Sequence, residues 1–196
     1  KQILMKKKLV TFMLCFICSI MAVSAKSKLA IDKTIDGVRV VQTERTAHVF
    51  SYTQMTDASI SLSCVKTENI CQYCINVFIF TNNDISKGNK LLLKLDNNEI
   101  LTLAADTDAE TENLMTTQNV FGAITGKTDI THIPYTITIE QLQKIINNKV
   151  VKVRVETTLD AFDGKVYGNK FSKTIQEDYS LIQGALSQQK SIYDDF

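Results

Sequence analysis

The side chains best suited to redox chemistry are three cysteines. Cys71 and Cys74 form a C-x-x-C motif, and Cys64 precedes it by seven residues. Such a motif exchanges electrons when its first thiol opens a helix, because the helix dipole lowers that thiol's pKa. Here an alternating I-N-V-F-I-F follows Cys74, which predicts that the motif ends a loop before a strand. The pattern favours a structural disulfide, Cys64–Cys71 or Cys64–Cys74, over a thiol-disulfide oxidoreductase using Cys71 and Cys74.

A second candidate is a run of alternating carboxylates. Calcium prefers several oxygen ligands on a flexible loop, and the run supplies them at Asp106, Asp108, Glu110 and Glu112. It lacks the glycine and the distal acid of an EF-hand, since Thr117 stands where that acid would be. A solvated acidic loop is therefore favoured, and a calcium-dependent adhesion module remains an alternative.

Other catalytic chemistry has little support in the sequence. There are two histidines, no tryptophan and no G-x-S-x-G, so neither a nucleophile with its base nor a sugar-stacking cleft is recognisable. The sequence identifies no catalytic residue and no cofactor, and it favours a protein that is not an enzyme.

The elements that must position these residues are mainly strands. The clearest pattern is a hairpin over 85–103, predicted to be central in the sheet, with a turn at 96–98 and Asn98 left-handed. This register places Leu93 opposite Leu101 and Leu91 opposite Leu103, so that one apolar face must be covered by another layer. Leu95 shares that face.

Further alternation predicts strands over 36–44, 47–52, 57–65, 75–81, 132–139 and 150–157. A strand is also expected within 114–127. In the strand over 150–157, Val151, Val153 and Val155 are expected to be buried. Thr138 and Gln141 fit a capping box that opens a short helix, and an amphipathic helix is expected over about 169–189. The sum is about eight strands in a β-sandwich or a strongly curved antiparallel sheet, with a short connecting helix and a C-terminal helix.

Three segments carry a resemblance to known proteins. They are I-S-K-G-N-K-L-L-L-K-L with E-I-L-T-L (85–103), Y-T-I-T-I-E-Q-L (135–142) and K-V-R-V-E (152–156). The resemblance that they carry extends over about half of the chain. In these segments the chain resembles small secreted β-rich proteins of unknown function from gut bacteria. The resemblance implies a fold and a secreted address, and it implies no activity.

The first 25 residues have the pattern of a secretory signal peptide. Lys6, Lys7 and Lys8 precede an apolar run that ends at V-S-A, which predicts cleavage after Ala25. Cys15 and Cys18 follow large residues, so a lipoprotein anchor is less favoured. We expect one β-rich domain over 26–196, exported to the periplasm or the medium, with no stable membrane insertion after cleavage.

Cleavage also changes the net charge. It removes four of the 22 basic residues and none of the 21 acidic residues, which leaves a formal net charge of −3. Nucleic-acid binding requires a basic surface, so it is not expected. The sequence therefore predicts a secreted or periplasmic, non-enzymatic binding or structural module, whose partner is an unidentified protein or glycan.

Overall fold

The computed structural model describes residues 27–51, 57–68, 70–80, 84–118 and 124–188, without the side chains of 57 and 112–129. The predicted signal peptide lies outside the described residues. The described chain contains eleven strands and two helices: β1 (Leu29–Ile35), β2 (Val38–Thr43), β3 (Thr46–Ser51), β4 (Asp57–Lys66), β5 (Cys71–Ile79), β6 (Lys90–Leu95), β7 (Ile100–Ala104), β8 (Glu110–Gln118), β9 (Ile124–Ile137), α1 (Ile139–Asn147), β10 (Val150–Glu156), β11 (Ala161–Val166) and α2 (Lys170–Ser187).

The strands form one antiparallel sheet in the order β7-β6-β10-β11-β3-β4-β5-β9-β8. β1 and β2 form a hairpin that joins this sheet through β4, so β2 and β3 share one edge of β4. A bridge between Ala105 and Tyr135 connects the chain after β7 to β9. The sheet is therefore strongly curved, which is the second of the two forms predicted.

The predicted hairpin is confirmed as β6 and β7. Leu93 pairs with Leu101 and Leu91 with Leu103, and Asn98 is left-handed with φ 68°. The shared leucine face is buried. Its predicted central position is wrong, because β7 lies at one end of the strand order. Alternation specifies which face is buried, but it does not specify the neighbouring strand.

Both predicted helices are present. In α1 the Thr138 side chain accepts from the Gln141 amide, and the Gln141 side chain accepts from the Thr138 amide, so the capping box is confirmed. α2 packs its apolar side against β2, β3 and β4. Its C-terminal end is held by Arg39, which donates to the carbonyls of Ala185 and Gln188. A cation there complements the helix dipole. Within the described residues, neither helix has the length and apolar composition needed to cross a membrane.

The strands differ from the predicted elements in three ways. β1 and β11 were not predicted, and the described residues of 114–127 belong to two strands, β8 and β9. The burial of Val153 and Val155 is confirmed, whereas Val151 is 43% exposed. The pairing of β10 with β6 is irregular between Val150 and Lys152. Val150 therefore takes the buried position, and Val151 faces solvent.

Candidate binding face

The C-x-x-C motif lies within a strand, because β5 begins at Cys71. The prediction that the motif ends a loop is therefore wrong. Side chains alternate along a strand, so Cys71 and Cys74 point to opposite faces. Three residues of strand also span about 10 Å, which exceeds the Cα separation that a disulfide can bridge. This arrangement does not bring the two thiols of the motif together.

Cys64 and Cys71 instead lie on the same face. Cys64 pairs with Tyr73, and Cys71 lies two residues before Tyr73 on the same strand. Cys64 is buried, whereas Cys71 is exposed, and all three described cysteines are free. Burial and, to a lesser extent, the neighbouring Cys71 raise the pKa of Cys64 to about 11. Cys64 is therefore protonated at neutral pH.

Cys74 belongs to a different cluster on the opposite face. Its Sγ lies 3.9 Å from Oδ2 of Asp106 and 3.7 Å from Oγ1 of Thr136. The Thr136 hydroxyl also donates to Asp106. Burial and the Asp106 charge raise the pKa of the Cys74 thiol. This environment opposes thiolate formation, so it does not favour a nucleophilic cysteine.

The predicted acidic run is divided by the fold. Asp106 accepts from Thr136, and Asp108 accepts the backbone N–H of Lys87 at 2.8 Å. Glu110 is exposed at the start of β8, and the side chain of Glu112 lies outside the described residues. Among the described side chains, no group of three or more His, Cys, Asp or Glu is placed to hold a metal ion. Two of the four carboxylates thus accept hydrogen bonds within the protein.

A polar network lies on the same face of the sheet as Cys74, on strands β4, β5 and β9. The Asn76 amide donates to Ser61 at 3.3 Å and to Ser63 at 3.1 Å. Its Oδ1 lies 3.2 Å from Nε2 of His132. Asn76 and Ser61 are buried, so these bonds satisfy groups that water does not reach. We interpret the network as structural.

The charged side chains of β6, β10 and β11 form a site that the sequence did not reveal. Lys94 on β6 pairs with Lys152 on β10, and Lys152 pairs with Lys165 on β11. All three side chains are exposed. Three lysines therefore lie side by side across three strands, and we call them the lysine row. Like charges directly opposite one another destabilise a sheet, so folding does not account for this row.

Arg154 and Asp163 lie beside the lysine row. The Asp163 carboxylate accepts from Nε and Nη2 of Arg154 at 2.6 and 2.9 Å, and from Nζ of Lys152 at 2.8 Å. These bonds hold the pKa of Asp163 far below its usual range. Within the described part of the chain, Lys94 and Lys165 form no ion pair. Asp163 thus compensates the middle of the row, and the two outer lysines stay available.

Apolar side chains border the cations. Ile100 pairs with Lys94 and is 57% exposed, and Leu92 pairs with Arg154. Together they form an open groove of about 260 Å³ with an apolar floor and a cationic rim. Its lining consists of Leu92, Lys94, Ile100, Lys152, Val153, Arg154 and Asp163. This arrangement can bind a ligand that carries both negative charge and apolar surface.

Sequence reasoning missed this face for a physical reason. Alternation with the valines of the same strand places Lys152 and Arg154 in water, which is equally typical of an ordinary solvated face, and the net charge of −3 gives no sign of a basic region. The row exists only because β10 pairs with β6, more than 50 residues earlier in the chain. One local signal was present in β6. Lys90 and Lys94 flank Leu92 on one face of that strand, which indicates a face with both cationic and apolar side chains.

The chain matches no known family model, and neither a curated protein nor a solved structure is significantly similar to it. Its function is therefore inferred from its own residues.

Proposed function

We propose that this protein is an exported, non-enzymatic binding module whose lysine row binds an acidic polysaccharide. The observation that carries the proposal is the pairing of Lys94, Lys152 and Lys165 on three neighbouring strands. Repulsion within such a row lowers folding stability, and a bound anion would offset that repulsion. The groove beside it accommodates uncharged parts of the same ligand.

The spacing of the row favours a polysaccharide over an acidic peptide. Neighbouring strands are about 4.8 Å apart, close to the length of one sugar residue, roughly 5 Å. A chain with one carboxylate or sulfate per sugar, crossing the strands, carries its charges at about the spacing of the strands, so that it can offer charges to the two outer lysines, Lys94 and Lys165. An extended peptide presents same-side carboxylates about 7 Å apart, because its side chains alternate. The peptide therefore matches the row less well.

Nucleic acid fits less well than either. Single strands bind on aromatic side chains that stack with bases, and the groove lining contains no aromatic residue. The net charge expected for the mature chain, −3, also opposes a long phosphate backbone beyond the row itself.

Non-enzymatic binding is supported by the separation of the reactive groups. Cys71 and Cys74 lie on opposite faces of β5. Cys74 faces Asp106, which disfavours its thiolate. Export is supported by the predicted signal peptide. A soluble polymer outside the cell, or one attached to a cell surface, is a ligand that such a protein can reach.

Binding to polygalacturonate tests the proposal, with a neutral glucan of equal length as the comparison. We expect binding that weakens as salt rises, because exposed charges are screened. The double variant Lys94→Gln/Lys165→Gln should bind roughly tenfold more weakly, as expected for two lost surface charge contacts. Both positions are exposed, so the fold should be unaffected.

The matched control is Lys33→Gln/Lys87→Gln, which removes the same charge from exposed positions elsewhere. It should bind as the unsubstituted protein does. Equal losses of affinity in the two double variants would show that only net charge matters, which would contradict the assignment to the lysine row. A protein that binds neither polygalacturonate nor a sulfated polysaccharide would refute the proposal.

A further inference from the structure

The two thiols of Cys64 and Cys71 form a second site, independent of the lysine row. Cys64 pairs with Tyr73, and Cys71 precedes Tyr73 by two residues, so the cysteines are diagonal neighbours on one face of β4 and β5. Their proximity agrees with the contribution of Cys71 to the raised pKa of Cys64. Cys64 is buried, and Cys71 is exposed.

The other two pairings conflict with the sheet. Cys74 pairs with Ser63, so it points away from the face that carries Cys64. Cys71 and Cys74 also point in opposite directions along one strand. Within the protein, Cys64 and Cys71 are therefore the only two of the three described cysteines that share a face.

We propose that Cys64 and Cys71 are a site of oxidative modification, at which thiol–disulfide exchange with a small-molecule disulfide closes a Cys64–Cys71 bond. The exposed Cys71 thiolate attacks the small disulfide and releases one thiolate. Cys64, after losing its proton to water, attacks the Cys71 sulfur and releases the second thiolate of the small molecule. The protein loses two electrons and two protons, and the small disulfide is reduced to two thiols.

The position of Cys71 permits the bond to close. Diagonal neighbours in a regular antiparallel pair have Cα atoms about 7–8 Å apart, slightly beyond the usual range for a disulfide. Cys71 is the first residue of β5, and Ile70 before it is 65% exposed. A shift of about 1 Å there moves the exposed residues Ile70 and Cys71, although it disturbs the hydrogen bond from Thr67 N–H to the Ile70 carbonyl.

The bond would fasten the turn between β4 and β5. Tyr73 lies beside the pair on the same face, and its hydroxyl contacts the side chain of Gln183 on α2. Oxidation therefore secures the part of β5 that holds the C-terminal half of α2. Cys74 keeps its contacts with Thr136 and Asp106 and stays reduced.

Peptide mapping after oxidation tests this assignment. The reduced mature protein is incubated with oxidised glutathione, its remaining thiols are alkylated, and it is digested with trypsin. Lys66 lies between Cys64 and Cys71, and the next lysine after Cys74 is Lys87. A Cys64–Cys71 bond thus joins two tryptic peptides, whereas a Cys71–Cys74 bond lies within one.

We expect linked peptides in the unsubstituted protein and in Cys74→Ser, with Cys74 alkylated in the former. Cys71→Ser, a change at an exposed position, should give no internal bond. Cys64→Ala should retain glutathione on Cys71, and circular dichroism should show that the variant is folded. The oxidised protein should also resist urea better than the reduced protein, a difference absent in Cys71→Ser.

A bond that involves Cys74, or a folded protein that remains fully reduced under these conditions, would overturn the assignment. The lysine row takes no part in the exchange, so polygalacturonate binding and disulfide formation can fail separately.

Discussion

Asp178 on α2 gives a stability prediction whose magnitude follows from its surroundings. Its side chain is fully buried, and Oδ2 accepts the Thr43 hydroxyl at 2.9 Å. Oδ1 has no hydrogen-bond partner within the described part of the chain. Burial raises the pKa of Asp178 to about 6 from the ordinary 3.8, although hydrogen bonds from Ser27 and Thr43 oppose the rise. The folded protein therefore favours the protonated carboxyl.

The sign of the pH effect follows from linkage. Because the folded-state pKa is raised, the folded state binds the proton more tightly than the unfolded chain does. The resulting stabilisation is fully present below about pH 4 and is lost as pH rises through 6. A shift of about two pKa units corresponds to about 3 kcal/mol. This is a large part of the 5–15 kcal/mol by which domains are typically stable.

The substitution Asp178→Asn removes the titration and keeps the side chain's size and one acceptor oxygen. Urea unfolding, followed by circular dichroism at pH 4, 5, 6 and 7, measures the free energy of unfolding of both proteins. The variant should gain about 2–3 kcal/mol relative to the unsubstituted protein between pH 4 and pH 7. Any cost of burying the amide nitrogen is equal at every pH, so only the slope matters.

Other carboxylates titrate in both proteins, so their effects cancel in the difference. A difference that stays constant from pH 4 to pH 7 would refute the reasoning. So would a variant that loses stability relative to the unsubstituted protein as pH rises.

Three further predictions concern packing, charge and export. A Cβ added at Gly164 would lie 2.5 Å from the Phe50 ring. Gly164→Ala should therefore lower the free energy of unfolding, measured with urea, by about 1–3 kcal/mol. An unchanged unfolding midpoint would contradict this close approach. Asp163→Asn frees Lys152 in the lysine row and Arg154 beside it, so polygalacturonate should bind more tightly and with steeper salt dependence. Weaker binding would mean that Asp163 positions these two cations. Intact-mass analysis of the exported protein should find a chain that begins at Lys26, whereas a retained or lipid-modified leader would disprove cleavage after Ala25.

What the sequence could predict was local. The β6–β7 hairpin depends on one turn and on alternating leucines, so Leu91 and Leu103 could be paired without knowledge of the rest of the chain. The α1 capping box is similarly contained within Thr138 to Gln141. These features depend on residues within about 20 positions of one another.

What the sequence could not predict depends on pairing between distant strands. Lys94 and Lys152 become neighbours only through the β6–β10 register, and the exposure of Val151 follows from an irregularity in that same pairing. Asp178 is an intermediate case. It follows Ile175 by three residues and precedes Ile182 by four, which places it on the apolar side of α2. This periodicity predicts a buried carboxyl, but not the Thr43 contact.

The most direct test of the proposed binding face is an NMR titration of the isotope-labelled protein with polygalacturonate oligomers. The proposal predicts salt-sensitive shifts at the amides of 92–94, 152–154 and 163–165, and a smaller response to an acidic peptide of equal charge. Shifts centred on other strands, or an equal response to the peptide, would contradict the assignment of the lysine row to acidic polysaccharides.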